Sequence, residues 1–106
     1  MAELPENPTL PQLQRYLDAV CQERGWTQDN YAEKFLLFTE EIGELAKAIR
    51  KTRGLYQEHA RQNTLNLEEE FADVLSYLLD LANYFHIDLE HAFRAKEHLN
   101  ATRTWH

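Results

Sequence analysis

Apolar residues recur along most of this chain at intervals of three or four positions, which is the period of an amphipathic α-helix. The first apolar stripe consists of Leu10, Leu13, Leu17 and Val20. The second consists of Phe35, Phe38, Ile42, Leu45 and Ile49. The third consists of Phe71, Val74, Leu75, Leu78, Ala82 and Phe85. All three prolines lie near the N-terminus, before or at Pro11, so the pattern predicts an all-α fold for the rest of the chain.

Short polar motifs predict where the first two helices begin and end. Thr9 and Gln12 form a capping box, so helix one is expected to begin at Thr9 and to stop at Gly25. Helix two is expected to begin near Asp29–Asn30, since both residue types are favourable N-caps and Glu33 can complete a capping box. Its apolar period continues to about Lys51, where the helix is predicted to end.

The second half of the chain is predicted to contain one loop and two further helices. Residues 52–66 include a glycine and many polar residues without a helical period, so they are predicted to form a loop. Asn66 precedes three glutamates, which suit the positive end of a helix, and is therefore predicted to start helix three. Helix three should run to about Phe85, and helix four, capped by Asp88, to roughly Asn100.

The third predicted helix is apolar around most of its circumference. Beside its main stripe it carries further apolar side chains at Tyr77, Leu79, Leu81 and Tyr84. A helix of this kind is buried on more than one side, and a chain of 106 residues is too small to cover it alone. We therefore expect a single domain, residues 1–106 with a short acidic tail at 1–8, that forms a four-helix bundle completed by oligomerisation.

Two helical segments carry carboxylates at spacings that place them on one helix face. The first, FTEEIGELAKAI, contains Glu40, Glu41 and Glu44, and the second, EEEFADVLSYLLDL, contains Glu70 and Asp73. Acids three residues apart lie about one turn apart, here beside the apolar stripes. Gathering such acids costs several kcal/mol unless a cation accompanies them, and Mg²⁺ or Mn²⁺ prefers oxygen ligands. The sequence therefore predicts a metal site made by Glu41, Glu44, Glu70 and Asp73.

Charge and composition narrow the classes of partner. The net charge of −7 repels polyanions, so sequence-independent binding to nucleic acid is not expected. A phosphate ligand would have to be attracted by a metal and a few Lys or Arg side chains. Cys21 is the only cysteine, which excludes an intrachain disulfide and a thiolate metal site. Because the chain has neither an apolar signal core nor an apolar stretch of about 20 residues, we expect a soluble, cytoplasmic protein without a membrane anchor.

Three blocks of this sequence resemble those of a known enzyme family. They are EEIGEL at residues 40–45, EEFADVLSYLLDLANYFHIDLEHAF at residues 69–93, and the C-terminal pattern Lys96-x-x-x-Asn100-x-x-Arg103. The order of an E-E-x-x-E block, an E-x-x-D-V-L block and an apolar-Ile-Asp helix start is specific. It resembles the MazG-like all-α nucleoside triphosphate pyrophosphohydrolases over roughly residues 10–104. The C-terminal pattern is most similar to that of the dCTP pyrophosphatase branch.

The resemblance implies an activity, a cofactor and a role for several residues. Enzymes of this family convert an NTP or dNTP to its monophosphate and pyrophosphate with Mg²⁺, and they are homodimers or homotetramers. The resemblance makes the four predicted acids the magnesium ligands, and it assigns to Glu40 the positioning or deprotonation of the attacking water. It assigns phosphate binding to Lys96, Asn100 and Arg103. Such an activity would sanitise or regulate the nucleotide pool.

Individual residues, and the function itself, admit second interpretations. Trp26 lies where the family tends to have an aromatic residue, so it is expected either to stack on the nucleobase or to plug the core. Asp80 faces either the same pocket as Asp73 or the C-terminal helix. Glu40 is either catalytic or a solvated charge on its helix. At the level of function, the alternatives are a non-catalytic nucleotide- or metal-binding helical oligomer and a structural helical dimer with solvated acids.

Overall fold

A computed structural model describes residues 1–26, 30–52 and 60–103, with residues 60–65 described by their backbone. Throughout these residues the ordered elements are helical. There are four of them: α1 Leu10–Arg24, α2 Tyr31–Lys51, α3 Ala60–Tyr84 and α4 Leu89–Thr102. The prediction of an all-α chain with four helices is thereby confirmed.

The ends of α1 have the side chains and backbone angles that the sequence predicts. The Thr9 hydroxyl accepts a hydrogen bond from the Gln12 backbone N–H at 3.3 Å, and the Gln12 side chain accepts one from the Thr9 N–H at 2.7 Å. At the other end, Gly25 has φ 73°, a left-handed conformation that glycine adopts without steric cost. The turn at Gly25 changes the direction of the chain and brings Trp26 beside the helices.

The starts of α2 and α4 also agree with the sequence, whereas the start of α3 does not. Asn30 caps α2 by accepting a bond from the Glu33 N–H at 3.0 Å, and Asp88 caps α4 in the same way. The prediction that Asn66 begins helix three was wrong, because α3 begins at Ala60. The stretch from 60 to 66 contains neither Gly nor Pro, so its polar residues do not interrupt a helix. Of the predicted loop, residues 53–59 lie outside the described residues.

The central pair of helices, α2 and α3, is an antiparallel hairpin with α1 packed against α3 and α4 against α1. The Tyr31 ring, at the start of α2, lies 6.1 Å from the Tyr84 ring at the end of α3, measured between centroids. Beside it, the Phe85 ring lies 6.0 Å from the Tyr31 ring. Among the described residues, the buried apolar side chains are small or medium-sized: Val20, Cys21, Ala48, Leu79 and Ala82.

A buried glutamine fixes α1 against the turn between α3 and α4. Gln14 donates hydrogen bonds to the Asn83 side chain at 3.1 Å and to the Ile87 carbonyl at 2.8 Å. It accepts one from the Leu89 N–H at 2.9 Å, while Asn83 donates to the Gln14 carbonyl at 2.9 Å. Because each partner is satisfied, the pairing is directional and sets the position of α1 along α3.

Large apolar side chains remain exposed on both helices of the central hairpin. They are Phe35, Ile42 and Ile49 on α2 and Phe71, Leu75 and Leu78 on α3. Phe35 and Phe71 are 55% and 54% exposed, in line with the excess apolar surface that the sequence places on helix three. Among the described residues, no helix combines the length and the apolar character needed to cross a bilayer.

Candidate metal and nucleotide site

Three carboxylates converge where α2 and α3 pack together. Glu41 extends from the middle of α2, and Glu70 and Asp73 extend from successive turns of α3. Each offers one carboxylate oxygen, and these three oxygens all lie within 4.8 Å of one another. The three-residue spacing on α3 and the antiparallel packing of the hairpin together create this group, which we call the acidic trio.

Among the residues whose side chains the structure describes, the charges that shift the pKa of Glu41 are all negative. Burial raises the pKa of Glu41, and the negative charges of Asp73, Glu70 and Glu44, together with a hydrogen bond to Glu70, raise it further. A shift in this direction is the signature of like charges held close together in a partly desolvated place. An added cation would remove the repulsion that causes it.

The chemistry of the acidic trio fits a hard divalent cation. All three donors are carboxylate oxygens, which Mg²⁺ and Mn²⁺ prefer over nitrogen or sulfur. A few carboxylates at one side of such an ion leave coordination positions for water and for phosphate oxygens, as is usual for Mg²⁺. Glu41, Glu70 and Asp73 can therefore hold the ion that the sequence predicts.

The other two acids of the EEIGEL block lie outside the acidic trio. Glu44 is exposed, although its charge is near enough to contribute to the raised pKa of Glu41. Glu40 is also exposed and does not share the direction of Glu41, since successive helix residues are about 100° apart. The structure thus brings three of the four predicted ligands together and places the predicted catalytic residue at their flank.

A cleft of about 590 Å³ lies along α3, and one member of the acidic trio, Asp73, lines it. Its lining includes Asp73 at one end and, further along, Asp80, Tyr77 and Trp26. The volume is within the range of about 300–1,000 Å³ that small-molecule sites occupy. Trp26 is 57% exposed, so the interpretation of this residue as a core plug was wrong. The Arg24 guanidinium carbon lies 4.9 Å from the centroid of the Trp26 ring system and supports its position.

A second charged cluster, missed by the sequence analysis, lies in the wall of the same cleft. The Lys34 ammonium is 2.8 Å from Asp80 Oδ2, and the side chains are 8% and 23% exposed. The Cys21 sulfur lies 4.0 Å from the other oxygen, Oδ1. Burial, followed by the charge of Asp80, raises the pKa of the Cys21 thiol, which makes it a weak donor rather than a nucleophile.

The helical period could have revealed Lys34. It lies two turns before Glu41, and therefore on the same face of α2, just as Asp73 lies two turns before Asp80 on α3. In an antiparallel pair, these two spacings place Lys34 opposite Asp80 when Glu41 is opposite Asp73. The open alternative for Asp80 is thereby settled in favour of the pocket that it shares with Asp73.

The predicted phosphate-binding residues lie on the fourth helix, away from the cleft lining. Lys96 and Asn100 belong to α4, which packs against α1, and Arg103 is the C-cap residue of that helix. Lys96 and Arg103 are exposed. The described lining of the cleft comes from α1, the turn after it, α2 and α3. Within one copy of the chain, the structure therefore does not join these three residues to the acidic trio.

Comparison with known proteins identifies the family. Residues 31–103 match the MazG nucleotide pyrophosphohydrolase domain, so the chain belongs to this family, and the resemblance noted in the sequence is confirmed.

Individual relatives cover most of this chain but only part of their own length. The chain is 34% identical to dCTP pyrophosphatase 1 of Mus musculus over 100 residues, which are 91% of this chain and 59% of the relative. For dCTP pyrophosphatase 1 of Homo sapiens the identity is 35% over 100 residues, with the same two shares, 91% and 59%. The uncharacterized protein YpjD of Bacillus subtilis (strain 168) is 40% identical over 65 residues, 61% of this chain and 59% of the relative. The chain thus spans less than two thirds of the length of these relatives.

Proposed function

We propose that this protein hydrolyses nucleoside triphosphates, preferentially deoxynucleoside triphosphates, to the monophosphate and pyrophosphate. The observation that carries the proposal is the acidic trio, whose member Asp73 lines a nucleotide-sized cleft, in a chain of the MazG family. The reaction depends on Mg²⁺, for which Mn²⁺ can substitute, and it removes unwanted nucleotides from the cytoplasmic pool. Free nucleotides rather than nucleic acids are the substrates, since the net charge of −7 repels a polyanion.

The acidic residues divide the work of binding and catalysis in this proposal. Glu41, Glu70 and Asp73 hold the ion, and Glu44 adds a fourth negative charge beside them. When bound, Mg²⁺ supplies neutralisation of the phosphate charge. Glu40 orients a water molecule toward the α-phosphorus and accepts its proton. The new bond forms between the water oxygen and the α-phosphorus, and the bond to the bridging oxygen breaks, so that pyrophosphate leaves with the electron pair.

The substrate is bound at both ends of the cleft. Trp26 stacks on the nucleobase, because its ring is exposed in the cleft and aromatic side chains bind the faces of bases. We assign phosphate binding to Lys96, Asn100 and Arg103. Because their helix packs on α1 and contributes nothing to the described lining of the cleft, these residues act on the cleft of a second copy of the chain.

A homodimer or homotetramer is therefore part of the proposal. The exposed apolar side chains on α2 and α3 form the surface that the second copy covers. Sedimentation at micromolar concentration should show a dimer or tetramer as the main species. A folded monomer as the main species would contradict the assignment of the three α4 residues to the active site.

The activity is tested by measuring pyrophosphate release from a panel of nucleotides. The panel contains the four common dNTPs and the four NTPs, each with Mg²⁺ and each with EDTA, and dCTP is the first candidate because two of the relatives are named for it. We expect Mg²⁺-dependent release of pyrophosphate and monophosphate from at least one dNTP. Nucleoside diphosphate and phosphate as the main products would contradict the site of attack, and binding without turnover would indicate the non-catalytic alternative.

A further inference from the structure

Asp80 occupies a place in the cleft where a nucleobase would lie if the triphosphate binds at the acidic trio. Both Asp73 and Asp80 line the cleft, and they are seven residues apart on α3. At a rise of 1.5 Å per residue, this spacing separates them by about 10 Å along the helix. Trp26 and Tyr77 line the same cleft and provide aromatic surface for the faces of a base.

The Asp80 carboxylate is held in one orientation and keeps the capacity to accept a further hydrogen bond. Its Oδ2 is bound by the Lys34 ammonium at 2.8 Å. Its Oδ1 is 4.0 Å from the Cys21 sulfur, a long contact with a weak donor. Lys34 also lines the cleft, but its side chain is 8% exposed against 23% for Asp80, so the more accessible group of the pair is the acceptor.

From this arrangement we propose that Asp80, positioned by Lys34, selects nucleobases that carry an exocyclic amino group on the pairing edge. This inference rests on the proposed function. The amino group of cytosine or adenine would donate a hydrogen bond to Asp80 Oδ1. In uracil or hypoxanthine a carbonyl oxygen replaces that amino group, and two acceptors would then face each other.

The expected discrimination follows from the strength of a hydrogen bond to a charged group. Losing such a bond while leaving the carboxylate partly desolvated lowers kcat/KM by about 10-fold to about 100-fold. Fully buried sites that hydrogen-bond a substrate group discriminate more strongly than this. We expect a smaller ratio here, because the Asp80 side chain is 23% exposed and water can partly replace the missing donor.

Two pairs of substrates exchange the amino group for an oxo group: dCTP with dUTP, and dATP with dITP. In each pair the adjacent ring nitrogen also changes from an acceptor to an N–H donor. The wild-type protein should show a kcat/KM ratio of amino to oxo member of about 10 to 100 in at least one pair. Asp80→Asn should reduce that ratio at least about 10-fold, because the amide can turn its NH₂ group toward the oxo base. Lys34→Met combined with Asp80→Leu removes both charges together and should also lose the preference. Glu33→Gln, an exposed acid beside Lys34, should keep the wild-type ratio.

The outcomes separate this inference from the proposed function. A fall in kcat/KM confined to the amino substrate supports base recognition, whereas damage to the fold would lower both members of a pair equally. Equal turnover of both members of each pair by the wild type, or a preference that survives both Asp80 variants, would overturn the inference alone. The absence of pyrophosphate release from every nucleotide would overturn the proposed function, and this inference with it.

Discussion

Two charged clusters on the same helix show how one fold gives different roles to similar residues. Near the middle of α3, Glu70 and Asp73 meet another acid, Glu41, and the pKa of Glu41 rises. Two turns later on α3, Asp80 meets Lys34, whose ammonium is 2.8 Å from its carboxylate. Among the described side chains, the first cluster consists of acids alone, whereas the second contains a cation from the chain, Lys34.

The difference between the clusters originates in α2 rather than in α3. Asp73 and Asp80 both lie on the face of α3 that packs against α2. The residue of α2 beside Asp73 is an acid, Glu41, whereas the residue beside Asp80 is a lysine, Lys34. The comparison teaches that an acidic residue in a cleft indicates a metal site only when the facing helix leaves its charge unbalanced. Each of the following predictions alters one side of this comparison.

The largest expected effect follows from Asp73→Asn in the acidic trio. Removing a carboxylate from the ion's ligands should reduce pyrophosphate release to the residual rate of EDTA-treated wild type. The measurement is kcat/KM at saturating Mg²⁺. Glu69→Gln is the matched control, since Glu69 is an exposed acid on the same helix, and it should retain wild-type activity. Activity of Asp73→Asn close to wild type would remove Asp73 from the metal site.

The next effect concerns the acid at the flank of the trio. Glu40→Gln should lower kcat by about 100-fold to 10,000-fold while leaving nucleotide and Mg²⁺ affinity close to wild type. This pattern is expected of a group that is needed mainly in the transition state. Steady-state kinetics combined with nucleotide binding to the variant provides the measurement. Unchanged kcat would show that Glu40 is a solvated charge, and loss of Mg²⁺ binding would make it a ligand.

Breaking the balanced cluster, Lys34 with Asp80, should affect stability more than breaking the unbalanced cluster, which is the acidic trio. Lys34→Met leaves Asp80 without its cation and should lower the free energy of unfolding by about 3 kcal/mol, the lower end for breaking a buried pair, because Asp80 is 23% exposed. Adding Asp80→Leu to Lys34→Met should recover most of that loss, since no uncompensated charge remains. Urea unfolding of the single and double variants compares them directly. A double variant as unstable as Lys34→Met would show that packing, and not charge, explains the loss.

The smallest effect is a pH dependence that comes from Glu41. Its folded-state pKa is raised, so the folded metal-free protein binds the proton more tightly than the unfolded chain does. Protonation of Glu41 therefore stabilises the folded protein. This contribution is complete below the ordinary Glu pKa of about 4.3 and is lost as the pH rises through the raised pKa of Glu41. In EDTA at pH 7, the melting temperature of Glu41→Gln should therefore be a few degrees higher than that of the wild type. Below about pH 4 the two melting temperatures should converge. A variant that is less stable than wild type at pH 7 would contradict the repulsion inferred for the trio.

The helical period predicted much of the fold because it is set locally. The cap residues Thr9, Asn30 and Asp88 lie where the sequence places them, since capping requires residues only three positions apart. The start of α3 was predicted at Asn66 because asparagine followed by glutamates is typical of a helix N-terminus. The prediction failed because the same pattern can also occur inside a helix. Nothing in the polar residues before Asn66 prevents the helix from extending back to Ala60.

The site was predicted in part, for a reason that is also physical. The spacing within each helix identified Glu41, Glu70 and Asp73, because residues on one face of a helix are neighbours. The pairing of Lys34 with Asp80 depends on the register between α2 and α3, which the spacing within either helix fixes only once Glu41 is placed opposite Asp73. The exposure of Trp26 depends likewise on how the turn at Gly25 directs the chain toward the cleft.

The binding of Mn²⁺, measured by calorimetry at pH 7 on the wild type and on two matched variants, tests the central claim most directly. The claim is that the unbalanced cluster binds a divalent cation and the balanced cluster does not. We predict that the wild type and Asp80→Asn bind Mn²⁺ with similar affinity, whereas Asp73→Asn loses at least about 100-fold. Wild-type affinity in Asp73→Asn, or an equal loss in both variants, would contradict the account.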